Sequence, residues 1–173
     1  AAFLYQLFVR SFGTNNFPDC SNMCHETTSV GLKDAIGLGK GTVILEDFDQ
    51  ADAIFSFGHN PGTNHPRMLA TLREVSRRGG NIVAINPIKE RGLERFQDPQ
   101  AALEMMTNSS TPISRYYFQP KIGGDYALLF GVLKHLLEWD KKALAKGKPS
   151  VFDRSFIEMN TIGFEEMLSE IVR

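Results

Sequence analysis

Apolar positions fall at helical spacing at the two ends of the chain and in short, nearly continuous runs at its centre. Phe3, Leu4, Leu7, Phe8 and Phe12 recur three and four residues apart and Gly13 follows as a stop, so an opening helix is expected. The polar stretch TNNFPDCSNMC leads into a short helix from about Thr27 to Ile36, ended by Gly37, after which GLGKGT reads as loop. Ala53, Ile54, Phe55, Ser56 and Phe57 form a short buried strand. A helix starting near Pro66 comes next, with Met68, Leu69, Leu72 and Val75 on its apolar face and Gly79-Gly80 at its end. Ile82 to Ile85 is a second strand, apolar at every position, as expected where both faces of a sheet are covered. Strand, helix, strand in this order predicts a parallel pair joined by a right-handed crossover. Residues 89–115 are polar and irregular and carry no assignment. Tyr116 to Phe118 is a third strand, and the loop QPKIGGD opens a helix carrying Leu129, Val132, Leu133, Leu136 and Leu137. KKALAKGKPS reads as a solvated linker, and Phe164, Met167, Leu168 and Ile171 stripe a final helix. The expected fold class is α/β: a Rossmann-like parallel sheet with flanking helices.

Composition narrows the function classes. At 173 residues, 42% hydrophobic and 23% charged, the chain is long enough to bury a core without staples. A net charge of −1 excludes bulk attraction to nucleic acid or an anionic membrane, so local clusters must carry any phosphate-binding argument. No run approaches the ~20 apolar residues of a membrane span. The opening AAFLYQLFVRSF has neither the basic start nor the cleavage-like end of a secretory signal, which points to a cytoplasmic protein. It also lacks an initiator Met and begins in apparent helix, as a fragment would. Two cysteines, Cys20 and Cys24, are too few for a disulfide framework and half of what a four-cysteine iron–sulfur cluster needs.

Four loops are candidates for chemistry. The glycine run Gly37-Leu38-Gly39-Lys40-Gly41 follows a helix rather than a strand and lacks the Lys-Ser/Thr pair of a phosphate loop, so it reads as a helix cap and turn. The loop Gly58-His59-Asn60-Pro61-Gly62-Thr63-Asn64 lies between a strand's carboxyl end and a helix start, where free amides favour anions. Asn60, Thr63 and Asn64 add side-chain donors there; the plainer reading is an ordinary connecting loop with Asn64 as helix cap. His59 and His65 have no acidic or thiol partner at metal-ligand spacing and read as hydrogen-bonding or solvated histidines. Two further loops leave the other strands: Asn86-Pro87-Ile88-Lys89-Glu90-Arg91, and Gln119-Pro120-Lys121-Ile122-Gly123-Gly124-Asp125. Open α/β sheets bind ligands at the carboxyl ends of their strands, so the three loops together form a candidate nucleotide rim. Lys89 and Arg91 suit phosphate and Asp125 suits a base edge or ribose, although such charges are often simply solvated. Finally, Cys20-x-x-x-Cys24-His25 precedes the helix at Thr27. A thiol at a helix start favours the metal-binding thiolate, and an adjacent histidine is a candidate proton shuttle; a structural cysteine is the plainer reading.

Taken in order, Cys24-His25 with Ser29-Val30-Gly31-Leu32, ADAIFSFGHNPGTNHP, INPIKERGLERF and IGGDYALLFGVLKHLL resemble the catalytic (alpha) subunit of molybdopterin-dependent oxidoreductases of the formate-dehydrogenase-like, bis-molybdopterin guanine dinucleotide kind. The likeness covers most of residues 20–140, and FIEMNTIGFEEML is similar to a later helix of that family. It implies that residues 1–145 are a molybdopterin guanine dinucleotide-binding α/β domain and 146–173 a linker and terminal helix of the same fragment. It implies that Cys24 ligates molybdenum and, with His25, is catalytic, the metal taking two electrons from a small-molecule substrate while His25 handles the proton. It implies further that Gly58, Asn60, Thr63, Asn64, Asn86, Pro87, Lys89, Gly123, Gly124 and Asp125 hold the cofactor, with Asp125 recognising guanine. A [4Fe-4S] cluster, the rest of a full-length subunit and an electron-acceptor subunit would lie outside these residues, leaving the isolated piece inactive. Two departures stand out. The ligand is followed by His25-Glu26-Thr27-Thr28 where formate dehydrogenases usually carry His-Gly-Pro-Ser, and Asn86-Pro87 replaces a usual Asp-Pro.

Two other classes compete for the same residues. One is a scaffold or electron-transfer subunit that kept the fold and lost the pterin; Cys24, Gly123-Gly124 and Asp125 speak against it. The other is a generic nucleotide-binding module, weakened by the missing G-x-G-x-x-G.

Overall fold

The computed structural model describes residues 2–17 and 21–172, and the chain divides into two compact units, Ala1–Asp47 and Phe48–Arg173. In the first, α1 (Ala2–Ser11) takes the expected helical form. Its apolar stripe is exposed, with Phe3, Leu4 and Phe12 each about 70% accessible. A π-helical turn, Asn22–Glu26, runs without a break into α2 (Thr27–Ile36). Ser21 and Glu26 both hold right-handed helical angles, so the helix starts well before the expected Thr27. Gly37 ends α2 in the left-handed region (φ 76°), its N–H bonded to the Lys33 carbonyl. A Cβ on Gly39 would lie 2.8 Å from the Ser29 carbonyl oxygen, so this glycine run is a cap and a tight turn, as its position after a helix implied.

From the single turn α3 (Asp47–Gln50), whose first residue is the last of the first unit, the chain continues through β1 (Ala53–Phe57), α4 (Pro61–Asn64), α5 (Met68–Arg77) and β2 (Asn81–Ile85). The chain then forms α6 (Arg91–Glu94), β3 (Arg95–Phe96), α7 (Ala102–Thr107), β4 (Thr111–Pro112) and β5 (Tyr116–Phe118) before α8 (Asp125–Ala145), α9 (Arg154–Asn160) and α10 (Phe164–Val172). The fold class is α/β. β2 lies at the centre of a three-stranded sheet, parallel to both neighbours, with Ala53 opposite Asn81 and Ile85 opposite Phe118.

Register decides which side chains make the core. Ile54, Ile82, Ala84 and Tyr117 share one sheet face and pack with Leu69, Leu72 and Val75 of α5, joined by Leu93 and Ile113. Each large side chain buried here contributes about 1.5–3 kcal/mol, which makes this layer the principal source of the unit's stability. The opposite face carries Phe55, Phe57, Tyr116 and Phe118, all exposed, beside the buried Val83 and Ile85.

Residues 89–115, unassigned from sequence, hold α6, α7 and the antiparallel pair β3–β4. A buried carboxylate organises them. Glu104 of α7 accepts hydrogen bonds from Arg73 (2.5 Å), Arg77 (2.6 Å) and the Asp98 amide (2.9 Å). The stretch expected to be a linker is partly helical, because α8 continues to Ala145. A second buried carboxylate shapes the passage from α8 to α9: Asp140 accepts from the Ser150 hydroxyl (2.6 Å), the Val151 amide (2.9 Å) and Arg154 (2.6 Å).

These two carboxylates make stability depend on acid. The Asp98 amide and then the Arg73 guanidinium hold Glu104 below its ordinary pKa, and the Ser150 hydroxyl, then Arg154 and the Val151 amide, do the same for Asp140. With both folded-state values lowered, the unfolded chain takes up protons first as pH falls. The stabilisation is therefore complete above the ordinary carboxylate range and is lost as pH falls through the lowered values. Urea titrations should give a midpoint that is flat above about pH 5 and drops below about pH 4, more shallowly in Glu104→Gln. A midpoint that held or rose in acid would contradict this assignment.

Candidate functional site

Because all three strands run parallel, their carboxyl ends open onto one edge of the sheet, and each feeds a loop named from the sequence. The ladder continues into these loops: the Gly58 N–H bonds to the Ile85 carbonyl (2.9 Å), and the Asn86 N–H to the Phe118 carbonyl (3.0 Å). Gly58 (φ 56°) and Gly123 (φ 82°) turn the chain through the left-handed region, which a side chain would resist.

The loop after β1 is more ordered than expected. Asn60, rather than Asn64, caps a helical turn: its Oδ1 accepts the Thr63 N–H (3.1 Å), Pro61 occupies the first helical position, and Asn64 is the last residue of α4. Gly62, Thr63 and Asn64 stay exposed. His59 and His65 face each other, Nε2 to Nδ1 at 3.3 Å. Burial first, and the neighbouring His65 second, hold His59 below the usual imidazole pKa. Among the described residues no group of three His, Cys, Asp or Glu is placed to hold a metal, so the pair stands as hydrogen-bonded histidines.

The loop after β2 is clamped to its neighbours. Asn86 is buried, and its side-chain amide points to the His59 carbonyl (3.4 Å), while Pro87, Ile88 and Lys89 are exposed. Lys89 pairs with Glu94 (3.5 Å) and Arg91 stands at the start of α6. Gly92, within the INPIKERGLERF stretch, fixes the spacing between the first two loops. A Cβ on Gly92 would lie 3.0 Å from the Gly62 Cα, 3.1 Å from its nitrogen and 3.3 Å from Leu69 Cδ2. A side chain there would force these backbones apart by a few tenths of an ångström, so Gly92→Ala should cost about 1–3 kcal/mol of stability and shift the amide resonances of residues 58–64. Unchanged resonances there would show that the contact is not needed. The sequence signal for it is no more than a glycine inside a polar stretch.

The loop after β5 ends at α8. The Gly124 N–H bonds to the Lys121 carbonyl (2.7 Å), and Asp125, half-buried, occupies the first turn of α8, where the helix dipole favours a carboxylate. Cys24 and His25 belong to the other unit, on the π-helical turn, with the thiol of Cys24 exposed. The described helix runs from Ser21, so the thiol lies in its first turn, as expected of a thiol near a helix start, although that start precedes Thr27. Cys20 lies outside the described residues.

The three loops thus gather at the strand ends of a parallel sheet, the edge at which open α/β sheets generally bind ligands. No protein-family model matches the chain. It is 57% identical over 172 residues to Protein YdeP of Escherichia coli K12, covering 99% of this chain and 23% of that protein. An uncharacterized oxidoreductase of Mycobacterium tuberculosis H37Rv is 48% identical over 165 residues, 95% of this chain and 20% of its own length. Formate dehydrogenase H of E. coli K12 is a more distant relative, 27% identical over 165 residues, 95% of this chain and 19% of that enzyme. The chain is thus oxidoreductase-like in sequence and spans about a fifth to a quarter of the length of these relatives.

Proposed function

We propose that this chain is a portion of a molybdopterin-dependent oxidoreductase of the formate-dehydrogenase-like kind, in which the rim of its Rossmann-like sheet holds the guanine dinucleotide tail of the cofactor. The observation that carries the reading is the convergence of residues 58–64, 86–91 and 119–125 at one sheet edge, in a sequence similar over 95% of its length to formate dehydrogenase H. The residues fit such a group. Exposed Thr63, Asn64, Lys89 and Arg91 offer donors to phosphates, the backbone turns without a side chain at Gly58, Gly123 and Gly124, Asn60 holds the first loop by capping its helical turn, and Asp125 offers a carboxylate to a guanine edge. Asn86 and Pro87 shape the middle of the rim. Among the described residues Cys24 has the one exposed thiol; it would serve as a metal ligand, and the cofactor would supply others.

When bound, molybdenum supplies two-electron chemistry on a small substrate. The chain's own residues have simpler tasks. Cys24 offers a thiolate to the metal, His25 accepts a proton on a ring nitrogen, and the rim binds and orients the cofactor's nucleotide. An iron–sulfur cluster and an electron-acceptor subunit would belong to other parts of the assembly.

Thermal melts of this chain test the nucleotide assignment. GDP at a hundredfold excess over its Kd stabilises by about 2.7 kcal/mol, and NAD at the same concentration should have no effect. Stabilisation by NAD with none by GDP would favour a generic dinucleotide module.

A further inference from the structure

The loop after β2 is held by Tyr117 of β5 and by Gln119, the first residue of the loop that follows β5. Tyr117 is half-buried with its ring against the core, and its hydroxyl reaches across to the loop. There it accepts the Glu90 N–H (2.9 Å) and donates to the Ile88 carbonyl (2.9 Å). Two residues on, the exposed Gln119 donates from Nε2 to the Pro87 carbonyl (3.1 Å). The loop is thereby tied at three points to a strand remote in sequence, while Asn86 and Gly92 tie its two ends to residues 59 and 62.

This bonding also decides what the loop offers a ligand. The carbonyl oxygens of Pro87 and Ile88, which would repel an anion, are engaged by donors from β5 and Gln119. Of the loop's charged side chains, those of Lys89, held near Glu94, and Arg91 are exposed, while that of Glu90 is half-buried. We infer that Tyr117, with Gln119, is a positioning residue that turns the 86–91 loop into an anion-facing wall, setting the rim's affinity for a nucleoside diphosphate. This rests on the nucleotide reading of the rim, but its structural half stands separately. Tyr117 acts through the loop and makes no contact with the ligand itself.

Tyr117→Phe removes only the hydroxyl and keeps the buried ring, and Gln119→Ala removes an exposed side chain, so both variants should fold with melting temperatures close to wild type. The chain and both variants are titrated with GDP, and the hydrogen exchange of the Glu90 amide is followed in each. Tyr117→Phe should weaken GDP binding about five- to tenfold and speed Glu90 exchange at least about fivefold. Gln119→Ala should weaken binding by a smaller factor. Wild-type affinity in Tyr117→Phe, with unchanged Glu90 exchange, overturns the inference, as does a loss of affinity matched by a general loss of stability. If wild type itself binds no GDP, the nucleotide reading fails. The positioning role is then decided by Glu90 exchange alone: acceleration supports it, and no change overturns it.

Discussion

Replacing Cys24 by serine should abolish the oxidoreductase activity of the longer polypeptide proposed to carry this chain, while leaving the chain's fold intact. The loss should exceed about a hundredfold, because removing merely a hydrogen-bond partner of a metal ligand already costs about 10–100-fold. Serine keeps the size of the side chain but is not deprotonated near neutrality and lacks a soft donor atom. Stability should hardly respond: Cys24 is exposed on its helix, and substitutions at such positions usually stay within about 0.5 kcal/mol. A scaffold that had lost the cofactor would behave differently, with any activity of the assembly unchanged by the substitution. Turnover measured beside a melting curve separates the two, since a variant that is both inactive and unfolded would speak for neither.

The largest effect on stability is expected from Leu72→Ala. Leu72 is 1% exposed and sits among Leu69, Val75, Ile82 and Ala84, where α5 meets the sheet. Truncating such a side chain removes its burial and leaves a cavity, at a combined cost of about 2–5 kcal/mol. That is a large share of the roughly 5–15 kcal/mol by which a domain is normally stable. Because the same layer holds all three strands whose ends carry the rim loops, the variant should also lose nucleotide-dependent stabilisation. Ile122, 94% exposed in the loop before α8, provides the contrast: Ile122→Ala should shift a urea midpoint by no more than about 0.5 kcal/mol equivalent. Equal effects at the two positions would mean that the core is misplaced.

How much the sequence reveals depends on the range of each interaction. The three strands and α5 are legible because their apolar residues obey a short period, and the parallel arrangement follows from strand–helix–strand order. The three rim loops are legible because parallel strands leave no other place for their carboxyl ends. The elements between residues 91 and 112 are not. Helices of four to six residues and strands of two show too few repeats to betray a period, and they are held by Glu104, a buried carboxylate whose partners Arg73 and Arg77 lie on another helix. Gly92 and Tyr117 escape notice for the same reason, since each matters through a residue distant in sequence. The cap at Asn60 has a local signal, Asn-Pro before Gly-Thr-Asn, but the more obvious Asn64 outweighs it. The start of the Cys24 helix is hidden because the polar residues Ser21 and Asn22 read as loop.

One departure noted in the sequence has a structural counterpart. Glu26 and Thr27 follow Cys24-His25 as part of one continuous helix, with the Asn22 side-chain amide bonded to the Glu26 carboxylate. An acidic group therefore stands one residue beyond the proposed proton carrier, where formate dehydrogenases usually have glycine.

The most direct measurement is the metal and nucleotide content of the longer polypeptide, purified from cells supplied with molybdate and compared with its Cys24→Ser variant. The proposed function predicts molybdenum and guanine nucleotide at near-stoichiometric levels in the wild type. Wild-type protein from replete cells that carries neither would contradict it.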